Sequence, residues 1–171
     1  MNNAELRAQL ESLHSECFGW ALACCLRDRD DAEEVLQMAY LAVLEGRARY
    51  DGRSAFRTWL FGVIRLTATS LRRRQWLRRT LLDRNAHRLD RPVELQSSET
   101  DAIQRDRAER LQRALEQISE RQRSLLQLVF YHGLTVDEAA ATLGISVGSA
   151  RTHYARGKAR LAALLDSERQ P

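Results

Sequence analysis

The sequence predicts an all-α protein: two small helical domains joined by a polar linker, the C-terminal one a helix-turn-helix. Three observations predict this. The 171 residues include only 2 prolines and 8 glycines, a composition that points to helices. Apolar residues recur at helical spacing in two blocks and lose that periodicity between them. The run from Thr135 to Lys158 carries the start and stop signals of two helices separated by a tight turn. No strand pattern and no internal repeat competes with this reading.

The first domain spans residues 1–82. Leu6, Leu10, Leu13, Cys17 and Trp20 form its first apolar stripe, and a break is expected around Arg27 to Asp30. Asp31, Glu33 and Glu34 then open a second helix, where carboxylates complement the positive end of the dipole. Val35, Leu36, Ala39, Tyr40 and Val43 continue it. Residues 46–53 read as a loop that turns at Tyr50-Asp51-Gly52. Ser54 starts a third, long helix with Phe56, Trp59, Leu60, Val63 and Ile64 as its buried stripe. Residues 83–107 are polar, and Pro92 and Gln96 to Thr100 mark them as a linker. The second domain spans residues 108–171. Leu111, Leu115 and Ile118 form one stripe, and Leu125, Leu126, Leu128, Val129 and Phe130 form another before Gly133 breaks the chain. The two domains are expected to be compact modules on a loose tether.

The helix-turn-helix is the most informative segment. Thr135 is a good N-cap, and Glu138 three residues on completes a capping box. Ala139, Ala140 and Leu143 form one apolar face, and Ala140 is small enough for a close helix crossing. Gly144 suits the left-handed residue that ends a helix. Ile145 returns to the core and Ser146 caps the next helix. That helix would show Ser149, Arg151, Thr152, His153, Ala155 and Arg156 on its outer side. Such side chains suit phosphates and base edges in a DNA major groove. A helical hairpin with a basic face and no DNA is the alternative.

Charge and cysteine usage narrow the function. The formal net charge is +4 and the pI about 9.3, with charged residues at 29% and hydrophobic residues at 44%. The excess is uneven: Arg65, Arg72, Arg73, Arg74, Arg78, Arg79, Arg84, Arg88 and Arg91 crowd the middle, and Lys158 is the only lysine. Arginine suits phosphate and base-edge contacts. The N-terminus lacks a signal pattern and no apolar run reaches bilayer length, so a cytoplasmic location is expected. Cys17, Cys24 and Cys25 are an odd number in one short segment, so no disulfide framework is expected. His14, Cys17 and Cys24 share a helix face, either as small core residues or as a sensing cluster. There are no paired carboxylates, no phosphate-cradling glycine loop and no nucleophile–base pattern. No catalytic residue, metal, cofactor or small-molecule substrate is expected.

Three stretches, in order, carry a resemblance. Asp31-Ala-Glu-Glu-Val-Leu-Gln37 is the first. Tyr50-Asp-Gly-Arg-Ser-Ala-Phe-Arg-Thr-Trp-Leu-Phe61, followed by Leu71-Arg-Arg-Arg74, is the second. Ile118-Ser-Glu-Arg-Gln-Arg123 with residues 133–161 is the third. Together they resemble bacterial RNA polymerase sigma factors of the extracytoplasmic-function (ECF) group in the sigma-70 family, over both helical blocks. The resemblance implies a subunit that binds core RNA polymerase and directs it to promoters, with an anti-sigma factor as a further partner. It assigns polymerase binding to Asp31, Glu34 and Gln37, which lie at i, i+3 and i+6 on one helix face. Read from the residues alone, those acids would equally serve to compensate the helix dipole. It assigns the melted −10 strand to Tyr50, Arg53, Arg57, Arg65, Arg72, Arg73 and Arg74, with Tyr50 free in its loop to contact a base. The basic run 72–74 alone reads equally as a solvated face. It assigns the −35 duplex to Ser149, Arg151, Thr152, Ala155 and Arg156. The chain departs from some relatives in carrying Leu66 where they have asparagine and small Ala155 where they carry a larger residue. The competing function is a stand-alone helix-turn-helix regulator that binds operators as a dimer.

Overall fold

A computed structural model describes residues 3–82 and 99–167. The linker signals Pro92 and Gln96 to Ser98, with Arg84, Arg88 and Arg91, lie outside the described residues. The described residues form helices without strands. In the N-terminal half, α1 (Asn3–Ser12) and α2 (His14–Cys24) are separated by a local break at Leu13. The long helices α3 (Arg29–Leu44) and α4 (Phe56–Leu82) follow. The Asp28 side chain caps α3 by accepting from the Asp31 amide at 3.0 Å. Between α2 and α3 the chain reverses through two left-handed residues, Leu26 and Arg27, at φ +54° and +66°. Left-handed backbone costs about 1–2 kcal/mol for a residue with a Cβ.

The predicted stripes meet in the core, except that on α4 Trp59 and Val63 are only half-buried and Phe61, outside the predicted stripe, is fully buried. Cys17, Trp20 and Ala21 of α2 pack with Val35, Leu36 and Ala39 of α3 and Leu60, Phe61 and Ile64 of α4, all buried. The Trp20 indole donates to the Phe61 carbonyl at 3.0 Å, so the largest core side chain leaves no polar atom unpaired. Its ring stacks on Phe61 with centroids 6.0 Å apart.

The C-terminal half holds α5 (Glu99–Glu116), α6 (Glu120–Leu126), a π-helical turn (Gln127–Tyr131), α7 (Val136–Leu143) and α8 (Val147–Ser167). Residues 99–107 are therefore helical although the sequence reads them as linker. Ser119 and Gln122 form a capping box that starts α6. Gly157 lets α8 cross α6 closely: a Cβ there would sit 3.0 Å from the Gln122 Cβ. Two stripe assignments change. Leu111 is exposed; Ala114 of α5 is buried, as is Ile118 just beyond the end of that helix. Phe130 is 65% exposed, because the π-helical turn inserts a residue and rotates it off the Leu125–Leu128 face.

The two halves meet along a seam. The two helical domains pack on each other, and buried residues of both belong to one continuous core. Helix α7 lies along α4. Thr142 Oγ1 donates to the Thr58 carbonyl at 3.3 Å, and Arg65 Nε donates to the Thr142 carbonyl at 3.1 Å. His132, after the π-helical turn, meets Trp20 and Phe61 edge-on at 5.8 and 4.9 Å between centroids. Arg72 pairs with Glu120 at 2.8 Å. The physical reason is size. A domain of roughly 60 residues buries only about 60% of the surface its unfolded chain exposes. Two such domains gain by sharing a face.

Candidate functional site

The helix-turn-helix forms as its residues require. Thr135 accepts from the Glu138 amide at 3.2 Å, and Glu138 accepts from the Thr135 amide and hydroxyl, each at 2.8 Å. Those bonds hold the Glu138 carboxyl below its usual range. Ala139, Ala140 and Leu143 are buried, and Gly144 ends α7 at φ +62°. Ser146 accepts from the Ser149 amide at 3.2 Å and so opens α8. On α8, Arg151, Thr152, Ala155 and Arg156 are exposed, while Ser149 and His153 are half-buried. Arg151 pairs with Asp137 at 3.3 Å, an exposed contact of at most about 1 kcal/mol that DNA can displace. The predicted duplex-reading face thus points to solvent on a rigid, capped helix.

The predicted −10 residues are arranged differently. Tyr50 is not free in its loop. It is half-buried, its hydroxyl donates to the Ser54 carbonyl, and its ring meets Phe56 and Trp59 at 5.3 and 5.4 Å. An aromatic cluster on the loop's own helix captures it. Arg57 Nε lies 2.9 Å from a Glu16 carboxylate oxygen, an ion pair without hydrogen-bond alignment, and its guanidinium sits over Phe61 at 5.6 Å. Arg65 and Arg72 reach across the seam to Thr142 and Glu120. Arg53 pairs with Asp51 at 3.3 Å, and Arg73 and Arg74 are exposed. Leu66 is 58% exposed and borders the cleft between α4 and α7 with Thr58, Trp59, Gly62, Ala141 and Gly144, about 240 Å³ in volume.

On α3, Glu34 and Gln37 are exposed beside Asp30 and Glu33. Asp31 is half-buried and accepts from the Gln75 side chain of α4 at 2.7 Å, so it also ties two helices together. The candidate sensing cluster is not assembled as a metal site: among the described residues no group of His, Cys, Asp or Glu is placed to hold an ion. Cys17 and Cys25 are buried, and that burial pushes their thiols up to about 11 and about 12. Sequence reasoning missed His132. It is 5% exposed, its Nε2 has no hydrogen-bond partner, and burial with Arg57 nearby brings it down to about 4. A lone histidine after an apolar run gave no signal of this. Among the described residues, no helix is long and apolar enough to cross a membrane.

Comparison with known proteins places these features in a family. Residues 10–78 match the model of sigma-70 region 2 and residues 108–161 that of sigma-70 region 4. The chain is 33% identical over 132 residues to the ECF RNA polymerase sigma factor SigF of Caulobacter vibrioides, covering 77% of this chain and 69% of the relative. It is 31% identical over 144 residues to the RNA polymerase sigma factor CarQ of Myxococcus xanthus, covering 84% and 80%. In fold it is similar to the sigma factor RpoE of Bartonella quintana, solved with the anti-sigma factor NepR. That match has a TM-score of 0.72 and 20% identity over 95% of this chain and 97% of the other. It is also similar to CnrH, solved with the cytosolic domain of CnrY, at a TM-score of 0.66 and 22% identity over 97% and 90%. With both conserved regions present in order on a matching fold, the chain belongs to the sigma-70 family, among the ECF sigma factors that direct RNA polymerase to begin transcription.

Proposed function

We propose that Asp31, Glu34 and Gln37 of α3 bind core RNA polymerase in the cytoplasm and that the two halves then engage a promoter at separated places. Ser149, Arg151, Thr152, Ala155 and Arg156 read the −35 duplex. Tyr50, Arg53, Arg57, Arg65, Arg72, Arg73 and Arg74 hold the melted −10 strand. The observation that carries this reading is the solvent-facing set on α8, presented by a capped helix whose other face is packed. Arg65 and Arg72 hold the opposite half in the closed arrangement, so use of both DNA sites requires the halves to part. Docking on polymerase supplies the free energy for that. The solved relatives were captured with NepR and with the cytosolic domain of CnrY. By the same likeness, an anti-sigma partner would stabilise the closed form of this chain.

The test pairs a pull-down of core polymerase with runoff transcription on a promoter library, for the wild type and for Glu34→Arg. Glu34 is the cleaner choice because Asp31 also bonds Gln75. The variant is expected to keep its helical circular dichroism and to lose both core binding and transcript. Undiminished pull-down by the variant would remove the assignment of this face. Tight, specific binding of a symmetric site by the lone chain would replace the reading with that of a stand-alone regulator.

A further inference from the structure

The turn between α2 and α3 holds a large apolar side chain in solvent on a backbone that disfavours it. Leu26 and Arg27 both have positive φ, a conformation that turns ordinarily assign to glycine or asparagine. The turn is nonetheless well fixed: the Arg27 amide donates to the Leu22 carbonyl at 2.8 Å and the Asp28 amide to the Cys25 carbonyl at 3.0 Å. Cys25, just before it, is buried, and packing accounts for that residue. Leu26 is 63% exposed, so no burial within the chain offsets its backbone. Strained residues that packing does not explain concentrate at binding sites.

What lies beside Leu26 indicates the occupant. The Cys25 thiol is within electrostatic reach of Asp31, Asp28 and Glu34 and also of Arg72, so the turn adjoins the acidic opening of α3, where exposed Arg27 and Arg29 flank it and Arg29 pairs with Glu33 at 3.0 Å. Along the same helix the solvent-facing stripe runs Asp30, Glu33, Glu34, Gln37 and then Leu41, itself 51% exposed. An apolar knob at one end of a carboxylate band complements a helix that carries basic residues around an apolar socket. We propose that Leu26 is a docking residue for core RNA polymerase, burying its side chain in the same basic partner surface that meets Glu34. This rests on the polymerase-binding reading of α3 and adds to it a residue outside the helix.

The experiment uses the full chain and measures its affinity for core polymerase by competition, with thermal melting alongside. Leu26→Gly removes the knob and relieves its backbone at once. Arg27→Gly relieves the neighbouring residue and leaves the knob. Leu26→Gly is expected to melt no lower than the wild type and to bind core about tenfold more weakly, or worse, as befits loss of a buried leucine. Arg27→Gly is expected to bind as the wild type does. Undiminished affinity of Leu26→Gly overturns the proposal. So does an equal loss in Arg27→Gly, because the turn's shape and not the side chain would then matter. Loss with Glu34→Arg but not with Leu26→Gly leaves the reading of α3 standing and removes Leu26 alone. A wild-type chain that fails to bind core overturns both.

Discussion

The two regions proposed to face DNA use the same residue type in opposite states. On α8, Arg151 and Arg156 stand in solvent, and Arg151 has only an exposed pair with Asp137. On α4, Arg57, Arg65 and Arg72 are half-buried, each engaged with the protein itself, and two of them with the other half of the chain. The proposed duplex-reading face is thus ready as folded, whereas the proposed strand-holding face must first be vacated. Arginine supports both states because one guanidinium bonds a carbonyl, a carboxylate or a phosphate with the same fork of donors.

Three experiments would break or sharpen this contrast. The largest effect is expected from Trp20→Ala. Trp20 lies under Phe61 and beside His132, so it serves both halves. Its loss should lower stability by about 3–5 kcal/mol and shift one shared melting transition. Two transitions, with the C-terminal one unmoved, would mean that the halves fold independently. Next is Gly62→Leu, aimed at the seam alone. A Cβ at Gly62 would lie 3.6 Å from the Thr142 carbonyl, an ordinary contact, so alanine fits and leucine adds bulk at the seam. Gly62→Leu should weaken closure by about 1–3 kcal/mol and enlarge the radius of gyration in X-ray scattering, while Gly62→Ala stays compact. Equal radii for both would show that α7 does not rest on α4 in solution.

The smallest effect is a pH dependence. His132 titrates at about 4 in the closed fold, against an ordinary value of 6.5. Its neutral form is therefore favoured by closure, and the stabilisation is complete above pH 6.5. It is lost progressively as pH falls from 6.5 toward 4, by about 1 kcal/mol at pH 5.5. His132→Phe should flatten the stability profile across that window. An unchanged profile would assign the acid sensitivity to another group.

Much of the fold was legible in the sequence because its signals are local. Thr135, Glu138, Gly144 and Ser146 act within a few residues of themselves, and each does what its chemistry implies. The stripes of α2, α3 and α4 were legible for the same reason. The seam was not. Thr58 and Thr142 are 84 residues apart, and neither breaks any periodic pattern. A polar or small residue that packs against a distant helix looks, in sequence, like a surface residue. Tyr50 illustrates the converse. A loop aromatic reads as free, but a tyrosine four residues before Ser54 and near Phe56 and Trp59 folds back onto its own helix. The candidate duplex contacts could be listed from sequence, but that Arg65 and Arg72 would be occupied could not.

The bond from Arg65 to the Thr142 carbonyl has a thermodynamic corollary. That carbonyl belongs to the last turn of α7, where the helix dipole is negative and a cation is favoured. A nucleic-acid phosphate would have to compete with it for the same guanidinium. Under the proposed role of Arg65, the affinity of the isolated chain for melted DNA equals the intrinsic affinity multiplied by the fraction of molecules that are open. Any partner that holds the halves apart raises that affinity without touching the DNA.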